Sequence, residues 1–186
     1  MRIDYIETYT GKRFRPMSPV TADICIEDIA HALSNQCRFA GHTRWHYSVA
    51  QHSAVVCLYL ATEGYSPIVQ LWGLLHDASE AYLVDLPSPL KHSPEFLPYR
   101  VAEGELMLCI CEKFGLPYDE PPAVKDADER ALADEAAALM MFNPDHWKQL
   151  KYRPTASLDI ERLTPLGAER LFLRQFKRLT CEAQTR

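Results

Sequence analysis

The chain has 186 residues, 47% of them hydrophobic and 24% charged, which is enough for one sizeable domain and too few for two ordinary ones. Its formal net charge of −5 supplies no global basic field, so no nucleic-acid polymer is expected as a partner, and a small anionic substrate would need locally placed Arg or Lys. No run approaches the roughly 18 apolar residues of a membrane span, and the opening Met-Arg-Ile-Asp-Tyr has no apolar leader core, so no membrane association is expected.

Tyr5-Ile6-Glu7-Thr8-Tyr9-Thr10 alternates weakly, Thr10-Gly11-Lys12 reads as a turn, and Arg13-Phe14-Arg15 runs on towards Pro16 and Pro19. A short β-hairpin resting on the domain is expected there. Ile26, Ile29, Ala30 and Leu33 at helical spacing predict a first helix over 24–33. Residues 34–45 form a loop dense in Arg38, Phe39, His42, Arg44 and Trp45, which suits either a ligand lid or a connector whose aromatics pack down. A second helix is predicted over about 46–63, with Val49, His52, Val56 and Leu60 on one face, so that His52 points inward. His42 and His46 also stand one turn apart, but Gly41 and the loop composition argue against a helix there and against a ligand role.

Ser66-Pro67 opens a third helix with Pro at its first position, and the run Ile68, Leu71, Trp72, Leu75 is closed by His76-Asp77 near a helix end at 76–83. Asp85-Leu86-Pro87-Ser88-Pro89-Leu90-Lys91 reads as too Pro-rich to be helical. A fourth helix is predicted over 94–114, its apolar residues including Val101, Leu106, Leu108 and Ile110, ended by Gly115-Leu116-Pro117. A fifth opens after Pro121-Pro122, with Val124, Asp128, Leu132 beside Ala131, Glu135 and Ala136, and Leu139 in step. Residues 143–163 read as irregular, with Trp147 and Tyr152 covering the core, and a last helix takes Thr164 as N-cap and Pro165 as first residue. The six cysteines (25, 37, 57, 109, 111 and 181) lack paired zinc spacing and read as reduced thiols of a cytoplasmic protein. The expectation is a single all-α helical bundle over 1–186, with a short irregular or hairpin N-terminal segment.

Three of these helices present inward polar groups: His52, then His76 and Asp77, then Asp128. Each has an ordinary explanation, a core imidazole, a helix C-terminus, or an Asp128–Lys125 pair one turn apart. Together, two imidazoles and two carboxylates suit one divalent ion of intermediate character, Mn, Co, Fe, Ni or Zn. Such an ion would polarise a phosphoryl oxygen and acidify water.

The ordered set His52…His76-Asp77…Asp128 resembles the H…HD…D signature of the HD-domain metal-dependent phosphohydrolases. Ser48-Val49-Ala50-Gln51-His52-Ser53, His76-Asp77-Ala78-Ser79-Glu80, the Asp85–Lys91 stretch and Lys125-x-x-Asp128 extend the resemblance to the bacterial 5′-deoxynucleotidase branch and its phage dATP triphosphohydrolase relatives, over about 24–140. The resemblance implies His52, His76, Asp77 and Asp128 as metal ligands, and Glu80 as the catalytic group that positions or deprotonates the attacking water. It implies Asp85 near the sugar 3′-hydroxyl, Lys91 on phosphate, and an Arg-aromatic pair upstream on phosphate and sugar or base. Arg38-Phe39 is the nearest match to that pair, and Arg44-Trp45 competes with it. The expected activity is a 5′-deoxynucleotidase releasing phosphate from a small nucleotide, with a dNTP triphosphohydrolase as the alternative and a non-catalytic nucleotide sensor as a third reading. A homo-oligomer, dimer or larger, is expected.

Overall fold

The N-terminal segment pairs Ile6–Glu7 (β1) with Arg13–Phe14 (β2) as an antiparallel ribbon, in the register Ile6 to Phe14 and Glu7 to Arg13. A ribbon this short needs a platform. Phe14 supplies it, fully buried and stacked on Tyr82 with ring centroids 4.0 Å apart, while Thr10 donates its backbone N–H and hydroxyl to the Asp28 carboxylate. The computed structural model describes residues 3–155 and 160–183.

The rest is helical. α1 (Ile26–Asn35) starts two residues later than its periodicity predicts, because Ile24 and Cys25 are extended and Ile24 already lies in the core. α2 (Val49–Thr62) likewise starts at Val49 rather than 46: the Ser48 side chain accepts the Gln51 N–H, so Ser48 is a true N-cap with extended backbone. α3 (Pro67–Leu75) has the expected Pro at its first position and stops at His76. Residues 76–79 then form tight turns leading into one turn of helix, α4 (Glu80–Leu83).

The Pro-rich stretch is a correction. Ser88–Lys91 forms a single helical turn, α5, with Pro87 as N-cap and Pro89 within the first two positions. Those are the places where proline's missing N–H costs nothing. α6 (Leu97–Phe114) is ended by Gly115 at φ 67°, whose N–H reaches the Cys111 carbonyl. α7 (Pro122–Leu139) and α8 (Pro165–Ala183) complete the set, and Thr164 caps α8 through the Gly167 N–H.

α2 is the central helix and packs on α1, α3, α7 and α8. Its own Val56 and Leu60 are fully buried, as are Leu33, Leu74, Leu106 and Phe172 in the same core. At Gly73 an added Cβ would fall 2.4 Å from Leu60 Cδ1, so α2 and α3 touch there as closely as a glycine allows. Of the apolar residues of α6, Leu106 and Ile110 are buried while Val101 and Leu108 are exposed. One core expectation fails. Trp147 and Tyr152 are only half-buried: Trp147 stacks on Phe142, and Tyr152 lies against the cations of Arg130 and Lys151. Among the described residues no helix is long and apolar enough to cross a membrane.

Candidate metal centre

Ser48 sets the start of α2, and His52 follows one turn in, wholly buried. α3 ends at His76, whose Nδ1 lies 2.8 Å from the Gly73 carbonyl one turn back. A carbonyl can only accept, so His76 Nδ1 carries the proton and Nε2 offers its lone pair to the interior. His52 repeats the arrangement: its Nδ1 lies 2.7 Å from Oε1 of Glu135 on α7, an acceptor, which again leaves Nε2 free.

The two Nε2 atoms meet at 3.2 Å. Asp77 Oδ2 stands 3.2 Å from His76 Nε2 and 3.6 Å from His52 Nε2; Asp128 Oδ1 stands 3.1 Å from His52 Nε2 and 3.8 Å from His76 Nε2. Two imidazole lone pairs and two carboxylate oxygens thus point at one small region, which is repulsive unless positive charge sits between them. The titration pattern says the same. Burial opposes charge on His76, yet the Asp77 carboxylate outweighs it and pushes the imidazole up to about 10. Burial raises the Asp77 and Asp128 carboxyls, but His76 on the first and His52 on the second pull both below the usual carboxylate range. With both imidazoles neutral, Asp77, Asp128 and Glu135 face the single positive charge of Arg38, an excess of negative charge that a cation would reduce. His52, His76 and Asp77 offer ligand atoms all within 4.8 Å of one another. The donor set therefore fits an intermediate divalent ion, with Asp128 at its edge. The alternative Asp128–Lys125 pair is replaced by Asp128–His52.

The loop over 34–45 folds back on itself. Cys37 bridges Ser48, and Phe39 and Ala40 take left-handed backbone at φ 55° and 51°, a conformation costly for side chains with a Cβ. This turn sends Arg38 inward, its Nη1 3.5 Å from Asp77 and its Nε 3.2 Å from Glu135 Oε2. The Arg38 guanidinium lies over the Phe39 ring at 5.5 Å, and Phe39 meets Trp147 edge-on at 6.5 Å. Arg44 is exposed, with its N–H on the Leu139 carbonyl and its guanidinium against the Met141 sulfur, and Trp45 sits under Arg162. Of the two arginines, only Arg38 faces the cluster.

Glu80 is buried on α4, and its Oε2 has no hydrogen-bond partner. Burial, reinforced by Asp77 and Asp85, holds its carboxyl well above the usual range, against the pull of Lys91. Lys91 on α5 reaches Glu80 Oε1 at 3.9 Å and Glu103 of α6 at 2.6 Å. Asp85 is half-buried, and burial raises its carboxyl although Arg38 pulls it down.

Three residues of this neighbourhood were not singled out from the sequence. Gln36 straps two segments, donating to the Glu80 carbonyl at 3.0 Å and accepting from the Asp85 N–H at 3.0 Å. Glu103 is the counter-ion of Lys91, and no local spacing announces it. Glu135 lies two turns beyond Asp128 on the stripe its spacing predicts, but that spacing alone assigns it no role.

The fold and the centre define a helical domain in which His52, His76 and Asp77 bring ligand atoms together, with Asp128 against the His52 imidazole. No family model matches the chain. It is 39% identical over 180 residues to the uncharacterized protein YfdR of Escherichia coli, across 96% of this chain and 97% of that protein, and it belongs to that family. It is also 36% identical over 142 residues to an uncharacterized protein of Rhodobacter capsulatus, covering 72% of each.

Proposed function

We propose that the protein is an HD-type, metal-dependent phosphohydrolase acting on small nucleotides, a 5′-deoxynucleotidase that releases phosphate from deoxynucleoside 5′-monophosphates. The observation that carries this reading is the convergence of the His52 and His76 Nε2 atoms, both with their other ring nitrogen already committed, on the oxygens of Asp77 and Asp128. These four residues hold one divalent ion, Mn, Co, Fe, Ni or Zn. When bound, that ion supplies Lewis acidity toward a phosphoryl oxygen and lowers the pKa of water.

The chain's own groups do the rest. Glu80 stands beside the cluster with one unpartnered oxygen, Oε2, and in its ionised form that carboxylate would take the proton of the attacking water. Arg38 and Lys91, both partly exposed to the site, receive phosphate oxygens by charge-assisted hydrogen bonds. Asp85 accepts from a sugar hydroxyl, and Phe39 offers an aromatic face to sugar or base. The outward orientation of Arg44 supports a monophosphate over the alternative, a dATP-preferring triphosphohydrolase, because a triphosphate needs more cations than Arg38 and Lys91 supply. The intact ligand set and the buried Glu80 weigh against a non-catalytic sensor. The proposal keeps the cytoplasmic, homo-oligomeric enzyme expected from the sequence.

The test is metal analysis of protein purified without chelator, followed by product analysis with dAMP and dATP in Mn²⁺, Co²⁺ and Zn²⁺. Inorganic phosphate from dAMP is expected. Triphosphate from dATP would select the alternative, and a metal-free protein that binds nucleotide without cleaving it would end the enzymatic reading.

A further inference from the structure

We propose that Glu135 is the positioning residue of this centre: its Oε1 fixes the proton of His52 on Nδ1 and so keeps Nε2 a metal ligand. The inference rests on the metal-dependent reading above and adds a residue to it.

Glu135 is wholly buried on α7, in the most expensive setting for a carboxylate. Its two oxygens face different tasks. Oε1 accepts the His52 Nδ1–H at 2.7 Å and the Tyr47 hydroxyl at 2.7 Å. Oε2 faces Arg38 Nε at 3.2 Å, a charge contact in which neither atom has an aligned hydrogen bond. Tyr47 is buried as well, and burial with the adjoining Glu135 charge holds its hydroxyl well above the ordinary range, so it stays a donor and leaves Oε1 with acceptor duty alone. A purely structural ion pair would need Arg38 only. The two strong bonds go instead to the imidazole and to the phenol that braces the same oxygen. A ligand imidazole that gives its outer N–H to a carboxylate has its ring orientation and its protonated nitrogen fixed before any ion arrives, and loss of such a partner typically weakens metal binding by about 10–100-fold.

Glutamine separates the roles. It keeps an oxygen for His52 and Tyr47 but removes the charge; alanine removes both. The measurement is Zn²⁺ affinity by competition with a chromophoric chelator, in wild type, Glu135→Gln and Glu135→Ala. Glu135→Ala is expected to bind about 10–100-fold more weakly, and Glu135→Gln to recover most of that loss. In the Zn²⁺-loaded wild type the His52 Nδ1–H should give a downfield, slowly exchanging proton signal, which persists in Glu135→Gln. That signal is read on wild type whether or not the alanine variant folds. Unchanged affinity in Glu135→Ala, a glutamine variant as weak as the alanine one, or no such protected proton in the loaded wild type overturns the assignment. Wild type that takes up no divalent ion overturns the metal reading itself, and Glu135 with it.

Discussion

Glu80 is the residue where stability and chemistry pull apart. A buried carboxyl with an unpartnered oxygen destabilises a fold, since each such atom costs about 1–3 kcal/mol. Nothing in packing requires it, because a Gln or an aliphatic residue would fill the place. The expected result for Glu80→Ala is retained metal, a melting temperature equal to or above wild type, and a kcat lower by about 10²-fold or more. Turnover near the wild-type rate would remove Glu80 from the reaction. The cations follow a different logic. Arg38→Ala and Lys91→Ala should each raise KM for dAMP by the equivalent of about 1.5–3 kcal/mol, the loss of one charge-assisted bond. Arg38→Ala should also lower the melting temperature, because it strips the buried Glu135 of its counter-ion. Arg44→Ala, with its guanidinium against Met141, should change KM little. Steady-state kinetics on the three variants checks the order, and a larger effect at Arg44 than at Arg38 would mean that the loop opens differently in solution.

At the scale of elements, the centre depends on how closely α2 and α3 approach, and Gly73 sets that distance. Gly73→Ala gains about 1 kcal/mol of helix propensity. It also puts a methyl 2.4 Å from Leu60 Cδ1, so that fully buried side chain must change rotamer within the core, an overpacking that costs about 1–3 kcal/mol. The second effect wins. The variant should melt lower than wild type and bind metal more weakly, because the Gly73 carbonyl also orients His76. A more stable Gly73→Ala protein with undiminished metal affinity would refute both points. The helices themselves were largely legible in the sequence: Pro67, Pro165 and Gly115 mark ends by backbone chemistry that needs no tertiary context. The starts of α1 and α2 were not: Ile24 is apolar enough to extend the pattern although its backbone is extended, and Ser48 shows itself as the N-cap only through the bond it accepts from the Gln51 N–H. The helical turn at Ser88–Lys91 was missed because two prolines outweighed the positions they occupy.

For the whole molecule, the clustering was legible for the side chains on helices, His52 on α2 and Asp128 on α7, whereas His76 and Asp77 sit in the turn after α3 rather than on the helix they were read into. Glu135, Glu103 and Gln36 were not foreseen, because their roles depend on partners 83, 12 and 49 residues away in sequence. The same spread of ligands leads to a prediction for global stability. On the proposed reading, an ion held by α2, the turn after α3 and α7 would bind the folded chain and would have no comparable site in the unfolded one. Ligation of the native state alone stabilises it by about 2.7 kcal/mol at a free ion concentration of 100 times Kd. In a domain of this length each kcal/mol moves Tm by about 2–4 °C, so saturating Mn²⁺, Co²⁺ or Zn²⁺ should raise Tm by about 5–10 °C over chelator-treated protein. The gain should vanish in Asp77→Ala and His52→Ala. Calorimetric scans with and without chelator decide it: a wild-type Tm indifferent to every divalent ion would show that the two imidazoles and two carboxylates are neutralised by protons alone, and that the centre is a buried polar network rather than a metal site.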